Sequence, residues 1–402
     1  MNHERWVRFR NLAATGAAFG FMSMGCASSQ ASSPAEDDAL SGADDLYGAN
    51  AELALSIRAP FATILKRAKA GSADPGTAGA DPKYSEQGTL SYGGKTYNVR
   101  IAARGNSSLN ECTFPKFSVD FDDTSQTKGT LFQGHGKFRV NSHCGDGKVS
   151  DHSEGMMRVL NEVGPVREEL SYRTLRAAGV PTYQTRLLRI SYTDSSAAGA
   201  FASVTRYALA VESGKDAAKR FAKEGLLPAG ASEYLNGAGG DPTLAGADHA
   251  YMREDDVARL YLAEALLGNE DWSLSSKQPQ RIWNVDVFGA PKRATQLPIP
   301  QDFDLAYGVQ ALSDPLFTPE VAVHAEMLKF RRFVTNPAVI KRASDSFLAK
   351  RAAIAAEIER VEKEAIAAKR VPSTDGRTST DLGFQNVHKL YDAFFSQPEL
   401  KR

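Results

Sequence analysis

The sequence predicts an α+β protein of two lobes, a β-rich lobe over about residues 51–212 and a mainly helical lobe over about 213–402. Two observations predict it. Apolar residues alternate with period two in several short runs before Glu212, whereas after Arg253 they recur at helical spacing. The chain has 402 residues, 42 % hydrophobic and 24 % charged, a composition that builds a globular core and excludes a disordered chain. Lys+Arg (48) and Asp+Glu (48) balance, which argues against a nucleic-acid partner, since such proteins carry a basic surplus.

The elements follow in order. "GTLSYGGKTYNVRIAARGNSS" reads as strand, Gly-Gly turn and strand, with Leu90 and Tyr92 in the first strand and Tyr97, Val99 and Ile101 in the second. "PKFSVDF" places Phe117, Val119 and Phe121 on one strand face, and "GKFRVNSH" is a further strand. "SEGMMRVLNEV" and "VREELSYRTLRAAGV" have helical spacing, stopped at Gly179 just before Pro181. "QTRLLRISYTD" and "SVTRYALAVES" add two strands. "REDDVARLYLAEALLG" is a helix ended by Gly268, followed by strand-like "QRIWNVDVF" and "ATQLPIP". A long amphipathic helix runs from about Pro337 to Ala368, with Phe347, Ile354, Ile358 and Val361 as its stripe.

The N-terminus predicts export. Arg5, Arg8 and Arg10 precede a short apolar run that ends in Gly-Cys-Ala-Ser-Ser, too short for a membrane span. The run resembles a bacterial lipobox, with Ser23 where leucine is usual. Residues 1–26 are thus expected to be a lipoprotein signal with the lipid, and so the membrane contact, on Cys26; a plain secretory signal cleaved near Ala31 is the alternative. Ala27 suits outer-membrane sorting, which places the protein in the cell envelope. Residues 27–50, rich in Ala, Ser, Asp and Gly, read as an acidic tether to a domain spanning 51–402. Of 3 cysteines, Cys112 and Cys144 then remain as a pair in an oxidising compartment and are expected to form a disulfide, the alternative being two free thiols. A zinc site from His143, Cys144 and His152 lacks paired C-x-x-C spacing.

Three stretches carry chemistry. "LLGNEDW" puts Asp271 on a loop just after a helix, and "PIPQDFDLAYG" puts Asp302 and Asp304 after an apolar strand, with Phe303 between them as a core anchor. "RGNSSLNECTFPK" offers Arg104, a turn with amides at Asn106 and Ser107, and Lys116. Transfer of a phosphoryl group from a nucleoside triphosphate needs a cation at the phosphates, oxygen ligands for Mg²⁺, and a carboxylate at the incoming hydroxyl. All three kinds of group are present, and clefts between lobes favour ligands.

These motifs resemble the CotH-like kinases, the spore-coat type of secretory protein kinase with an atypical kinase fold. The resemblance rests on "RGNSS" with Lys116, "KFRVNSH", "VREELSYRTLRAAGVPT", "YALAVES", "LLGNEDW" and "PIPQDFDLAYG", over roughly residues 50 to 365. It implies a protein-kinase-like two-lobed fold, ATP with Mg²⁺ or Mn²⁺ as cofactors, and a protein Ser/Thr acceptor. Asp271 would be catalytic, Asp302 and Asp304 would hold the metal, and Lys116 and Arg104, with Asn106 and Ser107, would meet the nucleotide. Glu212 would lie beside the adenine, and Glu168 or Glu169 would pair with Lys116 from a helix in which Arg167 matches a basic position. One departure stands out: where the family places an asparagine a few residues beyond the aspartate, this chain has Ser275 and Ser276. That favours, as the alternative, a catalytically inactive envelope lipoprotein that uses the fold as a binding module. Hydrolysis of a sugar by the carboxylates is opposed by the small number of tryptophans, Trp6, Trp272 and Trp283.

Overall fold

The structure, a computed structural model, describes residues 45–72, 84–105, 109, 112, 114–144, 163–196, 203–228, 233–235, 249–275, 281–290, 295–310, 318–368 and 384–401. The expected export signal, Cys26 and most of the tether lie outside the described residues. Residues Ala39–Arg402 belong to one compact unit. No helix among the described residues is long and apolar enough to cross a membrane.

Strand β1 (Leu53–Ala59) is followed by helix α1 (Phe61–Ser72). Next come β2 (Ser85–Tyr92), β3 (Lys95–Ala103), β4 (Phe117–Phe121) and β5 (Lys137–Asn141). Helix α2 (Val163–Ala177) then precedes β6 (Thr185–Asp194) and β7 (Val204–Glu212). These strands close into a barrel of order β1-β2-β3-β4-β5-β7-β6. The β2–β3 hairpin turns at Gly93 and Gly94, whose φ of 57° and 78° match the Gly-Gly signal. Strand β1 alternates buried and exposed residues along its whole length and pairs antiparallel with β2 but parallel with β6.

The expected two-lobed, protein-kinase-like arrangement is therefore corrected. The β-rich half is a closed, mixed seven-strand barrel rather than an open lobe. Closure depends on β1 joining β6 across more than a hundred residues, as in the Leu53–Leu188 partnership, and such a parallel pairing leaves no local mark in the sequence. The barrel interior is filled by side chains such as Ile57, Val99, Ile101, Val119, Phe138 and Ile190. On β6 and β7 the opposite face is buried as well: Leu187, Leu209 and Val211 join the core of the helical half. Helix α2 packs there too, and its buried Arg173 reaches Glu357 (2.6 Å) and Glu364 (3.1 Å) of the long C-terminal helix. The apolar packing runs through β6 and β7, so the two halves share a wall and are not separate lobes around a cleft.

The helical half begins with α3 (Gly214–Lys223), capped by the Ser213 side chain. A two-residue strand β8 (Glu233–Tyr234) precedes α4 (Glu254–Leu267). Three acids in the first turn of α4 face the positive end of its dipole, and Gly268 stops it with φ 58°. A Cβ at Gly268 would lie 2.9 Å from Leu390, so both conformation and space call for glycine. After α4 come the hairpin β9 (Ser273–Ser275) and β10 (Arg281–Trp283), then β11 (Val285–Gly289) and β12 (Leu297–Pro300). Strand β11 lies between β12 and β8. Helix α5 (Pro319–Phe333) is capped by Thr318, α6 (Pro337–Ala367) by Asn336, and α7 (Phe384–Ser396) ends the helical layer.

Two features fasten the edges. Residues 45–51, which include the end of the expected tether, pack on the barrel: Leu46 is fully buried, and Arg186 donates to the carbonyls of Leu46 (3.1 Å) and Ala51 (2.9 Å). His135 meets the Asp45 carboxylate at 3.0 Å. Cys112 and Cys144 form a disulfide that ties the segment before β4 to the end of β5.

Candidate functional site

The site is assembled around Lys116, which sits just before β4. Its backbone carbonyl accepts the Arg104 N–H at 2.8 Å, so Lys116 and Arg104 face each other where β3 and β4 meet. The Lys116 ammonium is buried, donates to an Asp302 carboxylate oxygen and lies 2.9 Å from Asp304. Burial alone would lower its pKa; the charges of Asp302, Asp304 and Glu168 outweigh that and hold it above the ordinary lysine range.

Glu168 projects from α2 toward this lysine and takes a hydrogen bond from the Asn141 carboxamide (2.5 Å), which itself accepts one from Arg104. Glu169 turns the other way, to Arg176 at 3.6 Å. The neighbouring Arg167 donates to the Val309 carbonyl (2.6 Å) and braces the segment beyond Asp304. Of the two glutamates between which the sequence could not decide, Glu168 is the one beside Lys116. Burial, helped by the nearby Asp302 and Asp304 and opposed by Lys116, pushes its carboxyl up to about 7.

Asp302 and Asp304 are placed by the "QDFDLAYG" segment. Phe303 between them is fully buried, its ring 4.8 Å from that of Tyr172 on α2. Asp302 adopts φ 62°, a left-handed conformation that costs energy in a non-glycine residue and turns its carboxylate back toward Lys116. The preceding Gln301 bonds to Arg139 of β5 (3.0 Å) and to the buried Asp286 of β11 (3.0 Å), linking the segment to the barrel and to the small sheet.

Asp271 comes from the loop after α4. Burial and the charges of Asp302 and Asp304 raise its pKa to about 6, against the pull of Lys116 and an Asn284 hydrogen bond. Asn284 donates to the Asp271 carboxylate at 3.0 Å and to its carbonyl at 2.6 Å. The amide beside the aspartate thus comes from Asn284, thirteen residues on, and not from the positions of Ser275 and Ser276. Ser275 lies in β9, and Ser276 lies outside the described residues. The "WNV" that reads as mid-strand is a break: Asn284 has φ 52° between β10 and β11, a conformation asparagine tolerates better than most residues.

The remaining expected site residues divide. Arg104 lies beside the cluster, where its charge is felt by Asp302 and Glu168. The Glu212 carboxylate is taken up by Arg220 (2.7 Å) and the Gln184 N–H (3.1 Å), an arrangement that locks the end of β7 to α3. Asn106 and Ser107 lie outside the described residues.

Among the described residues no group of three or more His, Cys, Asp and Glu has an arrangement that could hold a metal ion. The paired carboxylates of Asp302 and Asp304 are nonetheless the kind of donor that a hard cation such as Mg²⁺ takes, one or two at a time. In this structure the Lys116 ammonium lies between Asp302 and Asp304. No protein-family model and no curated protein matches the chain.

The raised Glu168 value has a consequence for stability. Its folded-state pKa of about 7 exceeds its ordinary 4.5, so folded Glu168 holds a proton that the unfolded chain releases. The stabilisation is complete below pH 4.5 and is lost as pH rises through 7, by up to about 3 kcal/mol. Glu168→Gln should remove that part of the slope. Urea unfolding of both proteins at pH 5 and pH 8 checks this, and an equal loss in both would refute it.

Proposed function

We propose that the chain is an exported, Mg²⁺-assisted phosphotransferase that moves the terminal phosphoryl group of ATP to a Ser or Thr hydroxyl of an envelope protein. The observation that carries the reading is the convergence of Lys116, Asp302 and Asp304 with Asp271 and its Asn284 partner from four separate segments. The resemblance of "LLGNEDW" and "PIPQDFDLAYG" to CotH-like kinases supports it. It does not depend on a kinase-like fold.

In this reading Lys116 and Arg104 bind phosphate oxygens. Asp271, with a pKa near 6, is ionised above neutrality yet still basic enough to accept the proton of an incoming hydroxyl. That oxygen bonds to the terminal phosphorus while the bond to the bridging oxygen breaks and ADP leaves. Asn284 fixes the orientation of the Asp271 carboxylate, and Glu168 keeps Lys116 from folding away. A Mg²⁺ ion, held by Asp302 and Asp304, would supply positive charge to the phosphates. Most of the rate would come from positioning and charge neutralisation.

A second reading, a non-catalytic binding module, is favoured by one observation: Lys116 already bridges Asp302 and Asp304, so its ammonium is engaged without a ligand. Thermal unfolding with ATP plus Mg²⁺, ATP plus EDTA, and Mg²⁺ alone separates the two. A ligand at roughly a hundred times its Kd adds about 2.7 kcal/mol, a readable rise in Tm. The expected result is a rise that needs both ATP and Mg²⁺ and disappears in Asp302→Ala. No rise under any condition would overturn the phosphotransferase reading.

A further inference from the structure

The loop that carries Asp271 is held from beneath by two buried carboxyl groups on different helices. Glu264, on the last turn of α4, is fully buried; one of its oxygens accepts the Asn269 side-chain N–H at 2.8 Å, and the other is buried with no hydrogen-bond partner among the described residues. Asn269 is fully buried as well, and its Oδ1 accepts the backbone N–H of Asp271 at 3.2 Å. Its own backbone N–H returns to the Glu264 carbonyl at 3.0 Å. From α5, the fully buried Glu326 accepts the Trp272 indole N–H at 2.9 Å and the Lys329 ammonium at 2.6 Å. The residues on both sides of Asp271 are therefore fixed by glutamates that touch nothing the proposed chemistry uses.

We infer that Glu264 and Glu326 are positioning residues for Asp271, acting through the Asn269 carboxamide and the Trp272 indole. The inference rests on the reading of Asp271 as the group that meets the acceptor hydroxyl. A buried carboxyl group is a costly way to fill space, because a Leu at the same position would pack without a desolvation penalty. What Glu264 supplies and Leu cannot is an acceptor for the Asn269 amide. Without it that amide would be left buried and unsatisfied, and Asn269 would turn to find another partner. The Asp271 N–H would then lose its acceptor, and the carboxylate would swing on a freed loop. Burial, together with the neighbouring Glu326 and Asp271 carboxylates, pushes the Glu264 carboxyl well above the ordinary range, against the pull of Asn269 and Lys329, and so favours its neutral form. A neutral amide is therefore a fair mimic of its native state.

The test compares Glu264→Leu with Glu264→Gln in the full chain, by hydrogen exchange at the Asp271 amide and by ATP turnover. Glu264→Leu should speed Asp271 exchange roughly tenfold or more and lower kcat about 10- to 100-fold, with KM for ATP within about twofold. Glu264→Gln should restore both readouts. Unchanged Asp271 exchange in Glu264→Leu, or a Glu264→Gln as impaired as the leucine variant, would overturn the inference. If Glu264→Leu does not fold, Asn269→Ala keeps both glutamates and must give the same exchange and kcat losses. A wild-type protein with no turnover would remove the phosphotransferase reading, while the exchange comparison would still decide whether Glu264 holds the loop.

Discussion

Replacing Lys116 by methionine is expected to cost about 3–5 kcal/mol of stability at pH 8 and to abolish any binding of ATP. The methionine side chain would still fill the buried space that the lysine stem occupies, so the loss would be one of charge. Lys116 is 6 % exposed and carries the ammonium that faces Asp302, Asp304 and Glu168 together. Without it, Glu168 would be left buried among like charges, with Asn141 as its hydrogen-bond partner. Removing one member of a buried ion cluster costs more than the cluster contributes, because the orphaned charges keep their desolvation penalty. Lys116 has a raised folded-state pKa, so its own stabilisation persists across the whole range below the ordinary lysine value of 10.5. Any pH dependence of the loss below pH 8 must therefore come from the carboxyl groups. At pH 5 Glu168 and Asp271 take up protons, and the cost of Lys116→Met should shrink. Adding Glu168→Gln at pH 8 should recover part of the loss, which a double-mutant cycle in urea would measure. A Lys116→Met protein as stable as wild type at pH 8 would mean that the ammonium does not organise this site.

The contrast between the legible and the hidden parts of the molecule is physical. The hairpin at Gly93 and Gly94, the stop at Gly268 and the long helix now bounded as Pro337–Ala367 all follow from local rules, where neighbours in sequence are neighbours in space. The closure of the barrel does not. Strand β1 has a clean alternation, Leu53, Leu55, Ile57 and Ala59 inward, but nothing in seven residues says that their edge will meet β6. The site shows the same division. Asp271, Asp302 and Lys116 stand in marked local settings: a helix end, an apolar strand end and a strand start. Asn284 does not, because its role depends on a strand breaking in mid-run so that one carboxamide turns toward a loop thirteen residues earlier. The positive φ is what redirects it, and "IWNVDVF" contains no glycine or proline to announce the break. Glu212, which the resemblance places beside the adenine, shows a contact of another kind: Arg220, in the second turn of α3, holds its carboxylate.

Loss of the disulfide is expected to have the second large effect. Cys112 and Cys144 are separated by 32 positions, and opening such a loop releases chain entropy in the unfolded state worth about 3.5 kcal/mol. The bond also fastens the segment that leads into Lys116. The segment that begins at Arg104 and ends at Lys116 leaves β3 and re-enters the sheet at β4, and Cys112 anchors it to Cys144, just past the Asn141 that carries Glu168. Phe114 accompanies the link: its N–H donates to the Cys144 carbonyl at 3.0 Å, and its ring stacks on His143 at 4.9 Å. Cys112→Ser, Cys144→Ser and the double variant should therefore lose similar stability, since each opens the same loop. Dithiothreitol should lower the Tm of the wild type and leave the double variant unchanged. If the segment between Arg104 and Lys116 contributes to binding ATP, the double variant should also bind it more weakly at a temperature where it remains folded, and calorimetric titration can measure this. Equal melting of oxidised and reduced wild type would show that the backbone pairing of Phe114 with Cys144 is enough to hold this edge of the barrel.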